Sequence, residues 1–82
     1  MAVQVLYFAS LKEALQCSGE RIELPADIRS VSALRDHLIA QGREALATAK
    51  NLRVALNQEM VKMDAPLNDG DELAFFPPVT GG

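Results

Sequence analysis

The chain has 82 residues, 49% hydrophobic and 23% charged, which is room for one small domain near the lower limit at which a core suffices without metals or disulfides. Its formal charge of -3 argues against a phosphate-backbone partner and favours one with a basic surface or pocket. One cysteine excludes an internal disulfide and a cysteine-based metal cluster, no stretch approaches the ~20 apolar residues of a membrane span, and no basic, apolar leader opens the chain, so the expectation is a cytoplasmic protein that binds neither nucleic acid nor membrane.

Val3-Gln4-Val5-Leu6-Tyr7-Phe8, rich in β-branched and aromatic residues, predicts the first strand. Ser10 then opens a short helix, with Glu13 placed to reach back in a capping box, Leu11 and Leu15 turned inward, and Gly19 as the stop. Arg21-Ile22-Glu23-Leu24 alternates at period two and ends at Pro25, a second strand. Ser30 caps the main helix, whose Val31, Leu34 and Leu38 form one apolar stripe, and Gly42 lies beyond its end. Residues 43–49 read as a further helical turn or two. Three short strands follow: 53–56, a turn at Asn57-Gln58, 60–62, a turn over Asn68-Asp69-Gly70-Asp71, and 72–76.

This order predicts an α+β fold: a mixed sheet packed on one main helix, with short extra helices. The domain occupies residues 1–76, and 77–82 form an extended tail. If the first and last strands pair in parallel at the centre of the sheet, Phe8 and Phe76 emerge at the same end, beside the root of that tail. Alternation supplies a further expectation. With Val5, Tyr7, Val54, Leu56, Val61, Leu73 and Phe75 facing the helix, Leu6, Phe8, Ala55, Met60, Ala74 and Phe76 face the other way, where nothing remains in the chain to cover them. Apolar patches of this kind mark interaction sites.

The sequence ends in Pro77-Pro78-Val79-Thr80-Gly81-Gly82. The two prolines hold the arm extended, these six residues reach at most about 20 Å, and the final glycines leave a tip without side chains. The expected working group is the Gly82 carboxylate, with Gly81 keeping the tip narrow enough to enter a partner's pocket. No nucleotide-binding glycine loop, metal-ligand cluster or nucleophile–base constellation accompanies it, so the chain is not expected to be an enzyme on its own. His37, the single histidine, reads as a solvated helix residue. Cys17 reads as packing, since no basic cluster lies near it. Asp69, Asp71 and Glu72 offer too few oxygens at set spacing for a hard cation and read as an Asp-Gly turn.

Asn57-Gln58, Pro66-Leu67, Asp69-Gly70-Asp71-Glu72, the opening Val-Leu-Tyr-Phe-Ala and above all the terminal FFPPVTGG resemble the MoaD family of small sulfur-carrier subunits of molybdopterin synthase. The resemblance covers the whole chain. It implies a ubiquitin-like β-grasp fold and a thiocarboxylate at Gly82. It also implies partner contacts through Phe8, Met60 and Phe76, with residues 77–80 entering the partner. The implied partners are a large MoaE-like subunit, a MoeB-like adenylating enzyme that uses ATP, and a persulfide sulfur donor. No cofactor is expected on this chain. The resemblance further implies sulfur donation to cyclic pyranopterin monophosphate, two donations completing the dithiolene of molybdopterin. A thiazole-type sulfur carrier, a ubiquitin-like protein modifier and a plain interaction module are the alternatives. A thiamine requirement, lysine conjugates, or failure to acquire sulfur would distinguish them in turn.

Overall fold

The computed structural model describes residues 1–49 and 51–77. Among them run β1 (Ala2–Tyr7), α1 (Ser10–Leu15), β2 (Gly19–Glu23), α2 (Val31–Ala40), α3 (Ala45–Thr48), β3 (Arg53–Leu56), β4 (Glu59–Val61) and β5 (Glu72–Phe76). The strands form one sheet in the order β2-β1-β5-β3-β4. Its central pair, β1 and β5, is parallel, with Tyr7 opposite Phe75; the other pairings are antiparallel. A parallel pair cannot be closed by a tight turn. Here the whole intervening chain, α2 included, supplies the crossover.

The apolar stripe of α2 packs on one face of this sheet. Val31, Leu34 and Leu38 are fully buried, together with Val3, Val5, Tyr7, Val54, Leu73 and Phe75, and Leu46 of α3 closes one side. Ser30 caps α2 as expected, its Oγ accepting the Ala33 N–H at 3.2 Å from an extended backbone. The next unsatisfied donors of the helix start are met by the loop after β4: Val31 N–H donates to the Ala65 carbonyl at 3.0 Å and Ser32 N–H to that of Met63 at 2.7 Å. Leu67 in the same loop is buried under the helix start, which gives the Pro66-Leu67 pair a packing role.

Two turns fix the strand registers. Asn57 and Gln58 both have positive φ, 51° and 71°, the geometry that suits a two-residue hairpin to the twist of its strands. In the turn over 68–71 the Asp71 carboxylate accepts the Asn68 N–H at 2.8 Å and Asn57 Nδ2–H at 3.0 Å, while Asp69 accepts the Ala2 N–H at 2.7 Å. These carboxylates are therefore occupied in holding the turn against the start of β1.

The first helix differs from its sequence reading. Ala9, at φ 54° and ψ -130°, is the N-cap and Ser10 already lies inside the helix, so no side-chain capping box forms. The Phe8 carbonyl instead accepts the Leu11 N–H at 3.1 Å, because the chain must turn sharply off the end of β1. Nor does Gly19 stop the helix. Gln16, in the left-handed region, ends it, and β2 starts at Gly19 and ends at Glu23 rather than spanning 21–24. The β4 strand likewise begins and ends one residue earlier than expected.

Candidate docking face and tail root

Phe8 follows β1 directly and Phe76 ends β5. The Phe8 N–H donates to the Phe75 carbonyl at 3.2 Å, extending the parallel pairing by one residue, so both rings sit at one end of the sheet. Their parity places them on the face away from α2, where Phe8 is 47% exposed and Met60 56%; Phe76 is half-buried. The registers set Gly19, Leu6, Ala74, Ala55 and Met60 in a single row across all five strands. This row is apolar throughout, and shallow because its centre is alanine.

Gly19 contributes to that shape by lacking a side chain. A Cβ there would stand 2.9 Å from Leu6 Cδ2, which would have to move aside, and a tight 3.0 Å from the Val5 carbonyl oxygen. Leu6 can thus lie over the β2 edge. By its place after a helical pattern this glycine reads as a helix stop; in the structure its place is on the sheet face.

Of the remaining expected site residues, Pro77 follows Phe76 and is half-buried. Pro78, Val79, Thr80, Gly81 and Gly82 lie outside the described residues. Cys17 is half-buried behind the sheet edge, its Sγ–H directed to the Gly19 carbonyl at 3.1 Å. It shares a surface depression of about 270 Å³ with Leu15, Glu20, Gly42 and Arg43, so one basic residue lies nearby, although not a basic cluster. That guanidinium is committed elsewhere. His37 lies on α2, half-buried rather than freely solvated. Among the described residues no three His, Cys, Asp or Glu side chains converge as a metal site.

The most strongly perturbed groups are on the helix side. Glu20, Arg43 and the Tyr7 hydroxyl form one network: Tyr7 Oη–H donates to Glu20 Oε2 at 2.7 Å, Arg43 Nε–H donates to the same oxygen at 3.1 Å, and an Arg43 terminal nitrogen bonds Glu20 Oε1. The fork of hydrogen bonds from Arg43 holds the Glu20 carboxyl below its usual range, although partial burial works against this. Burial and the neighbouring Glu20 push the Tyr7 phenol far above its ordinary range. Period two along Glu20-Arg21-Ile22 points Glu20 inward, a signal that a buried acid needs a partner. Nothing local identifies Arg43 as that partner. The network touches neither the exposed face nor the tail root, and it reads as a structural clasp between β1, β2 and the loop after α2. On the exposed side, among the described residues, there is an apolar face and a tail root, with the Arg21–Glu23 ion pair at its far end: an arrangement that can bind and present.

Residues 5–82 match the ThiS family. The molybdopterin synthase sulfur carrier subunit of Escherichia coli K12 is 49% identical over 82 residues, covering 98% of this chain and 99% of that one. That of Haemophilus influenzae is 42% identical with the same coverage. Among solved structures, the crystal structure of SAMP1 from Haloferax volcanii superposes with a TM-score of 0.82 at 27% identity over the whole of both chains. A complex of subunits 1 and 2 of the molybdopterin-converting factor from Helicobacter pylori contains a chain with a TM-score of 0.69 and 31% identity, again over both full lengths. The fold is the ubiquitin-like β-grasp, and the chain belongs to the ThiS family, among its molybdopterin synthase sulfur carrier subunits.

Proposed function

We propose that this chain is the sulfur carrier of a molybdopterin synthase and supplies no catalytic group of its own. The observation that carries this reading is the pairing of two outward phenylalanines at the tail root with end-to-end likeness to relatives named as sulfur carrier subunits. A chain-terminal carboxyl in a peptide ordinarily titrates at about 3.5, so the scheme starts from the ionised Gly82 carboxylate, a poor acyl donor. Activation is therefore needed. A carboxylate oxygen attacks the α-phosphorus of ATP on a MoeB-like enzyme and expels pyrophosphate; the outer sulfur of a persulfide then attacks the acyl carbon and expels AMP, and a second thiol cleaves the resulting acyl disulfide, leaving the thiocarboxylate and a disulfide on the donor. The thiocarboxylate enters a larger synthase subunit and donates sulfur to cyclic pyranopterin monophosphate, twice for each dithiolene. ATP is used by the activating partner and the sulfur comes from a persulfide donor, in the cytoplasm where both are at hand.

Phe8, Met60 and Phe76 form the docking contact in this scheme, and residues 77–82 the inserted arm. The H. pylori complex, which pairs subunit 1 with subunit 2, supports a larger partner. The test is the intact mass of the chain after incubation with an adenylating enzyme, ATP and a sulfur source. Replacement of one oxygen by sulfur is expected; an unchanged mass with an active enzyme rejects the proposal. Likeness to SAMP1, a chain that other solved structures name a small archaeal modifier protein, favours protein modification as a second reading. Conjugates that survive denaturing gels would establish it.

A further inference from the structure

The overall charge of -3 favours a basic partner, yet the corner of the exposed face beside the tail root is cationic. Arg53 stands opposite Phe76 in the β3–β5 register. The β3–β4 register, which sets Val54 opposite Val61, places Lys62 across from Arg53 when carried one residue further. Phe8, Phe76, Arg53 and Lys62 thus form one row, next to the apolar row that ends in Met60. Both cations are exposed, and among the described residues neither forms a salt bridge. The other charged end of this face differs: Arg21 is paired with Glu23 at 3.3 Å, and Glu72 lies beyond Gln4 in the same row. Uncompensated positive charge on the face is concentrated where the tail departs.

We infer that Arg53 and Lys62 are a steering contact of the docking face, matched by carboxylate side chains on the rim of the apolar depression that receives Phe8, Phe76 and Met60. The inference rests on the docking role proposed above and names the chemistry of the surface that meets it. An exposed Arg–Lys pair on an acidic chain orients an approaching partner, because its sign is opposite to that of the molecule as a whole. With the pair against partner carboxylates, the tail root is brought to the channel mouth in one orientation. A reversed approach sets Glu72 against those same carboxylates. Charges at an interface rim act chiefly on the association rate and its salt dependence.

The experiment is stopped-flow association of the full chain with the large synthase subunit of the same organism at low and high salt, for wild type, Arg53→Gln/Lys62→Gln and Arg53→Glu/Lys62→Glu, with a thermal melt of each. Wild-type association is expected to slow about tenfold as salt screens the pair. The glutamine variant should lose most of that slope, and the glutamate variant should associate more slowly still at low salt and recover as salt rises. Equal rates and equal salt slopes in all three folded proteins overturn the inference while leaving the docking role intact. Failure of the wild type to bind the large subunit at all overturns the docking role itself, and the inference with it.

Discussion

Cys17 and the pair Met60 and Phe76 test opposite sides of the functional reading. Cys17 donates its thiol to the Gly19 carbonyl behind the sheet edge, whereas the proposed scheme carries the sulfur on an acyl group, so Cys17→Ser should still acquire sulfur. Mass spectrometry of the folded variant checks this, and loss of thiocarboxylate would move the chemistry to the thiol. Met60→Asp or Phe76→Arg should leave the domain folded, because neither side chain belongs to the buried core. Each sets an unpaired charge into an apolar contact, which costs on the order of several kcal/mol, about a thousandfold in affinity for both the large subunit and the adenylating enzyme. Calorimetry beside a melting curve measures the two effects separately. Unchanged binding would mean that the face had been assigned wrongly. These outward positions could be read from the sequence because alternation is a strict rule of strands, and β1, β3 and β5 contain no bulge that would break it. Ser10 and Gly19 could not. Their roles depend on the sharp turn after Phe8 and on what lies across the strand, and neither is encoded by neighbours in the chain.

The last strand and the arm beyond it form a unit whose length matters. β5 is held between β1 and β3, its end paired in the Phe76–Arg53 register, so the arm starts from a position set by the sheet. Adding Ala after Gly82 shifts the terminal carboxylate by up to about 3.5 Å, and misplacing a reacting group by roughly 1 Å can cost about a hundredfold in rate. ATP–pyrophosphate exchange with the adenylating enzyme should therefore be abolished while docking is retained. Exchange at the wild-type rate would remove the terminus from the chemistry. Elements of this kind were the ones best anticipated. β5 spans Glu72–Phe76 as expected, the Ser30 cap places α2, and Asn57-Gln58 turns the hairpin. Each has a local signal: alternation, a capping hydroxyl, residues tolerant of positive φ. The strap of residues 63–67 over the start of α2 has none, since its hydrogen bonds join backbone atoms far apart in sequence.

Across the whole molecule, stability should depend on pH through the clasp of Tyr7, Glu20 and Arg43. Glu20 has a folded pKa below its ordinary 4.5, so its stabilisation is fully present above pH 4.5 and is lost as pH falls through the folded value. Tyr7 has a folded pKa above its ordinary 10.0, so its share is present below pH 10.0 and is lost as pH rises beyond it. The melting temperature should fall at both extremes. Glu20→Gln should cost about 1 kcal/mol at neutral pH, discounted for the partial exposure of the pair, and should erase part of the acid limb. A wild-type-like acid limb in this variant would assign acid unfolding to other carboxylates.

The central parallel pair of β1 and β5 brings together the two ends of the chain, and Phe8 and Phe76 become neighbours only when both strands are seated. Non-local pairing of this kind forms late, after the cost of closing a long loop has been met. A nascent, misfolded or clipped molecule can still carry the glycine tail, but it cannot show the two rings side by side. If the activating enzyme proposed above grips both rings before it spends ATP, the fold itself proofreads the substrate, and only chains that have completed their fold are charged with sulfur.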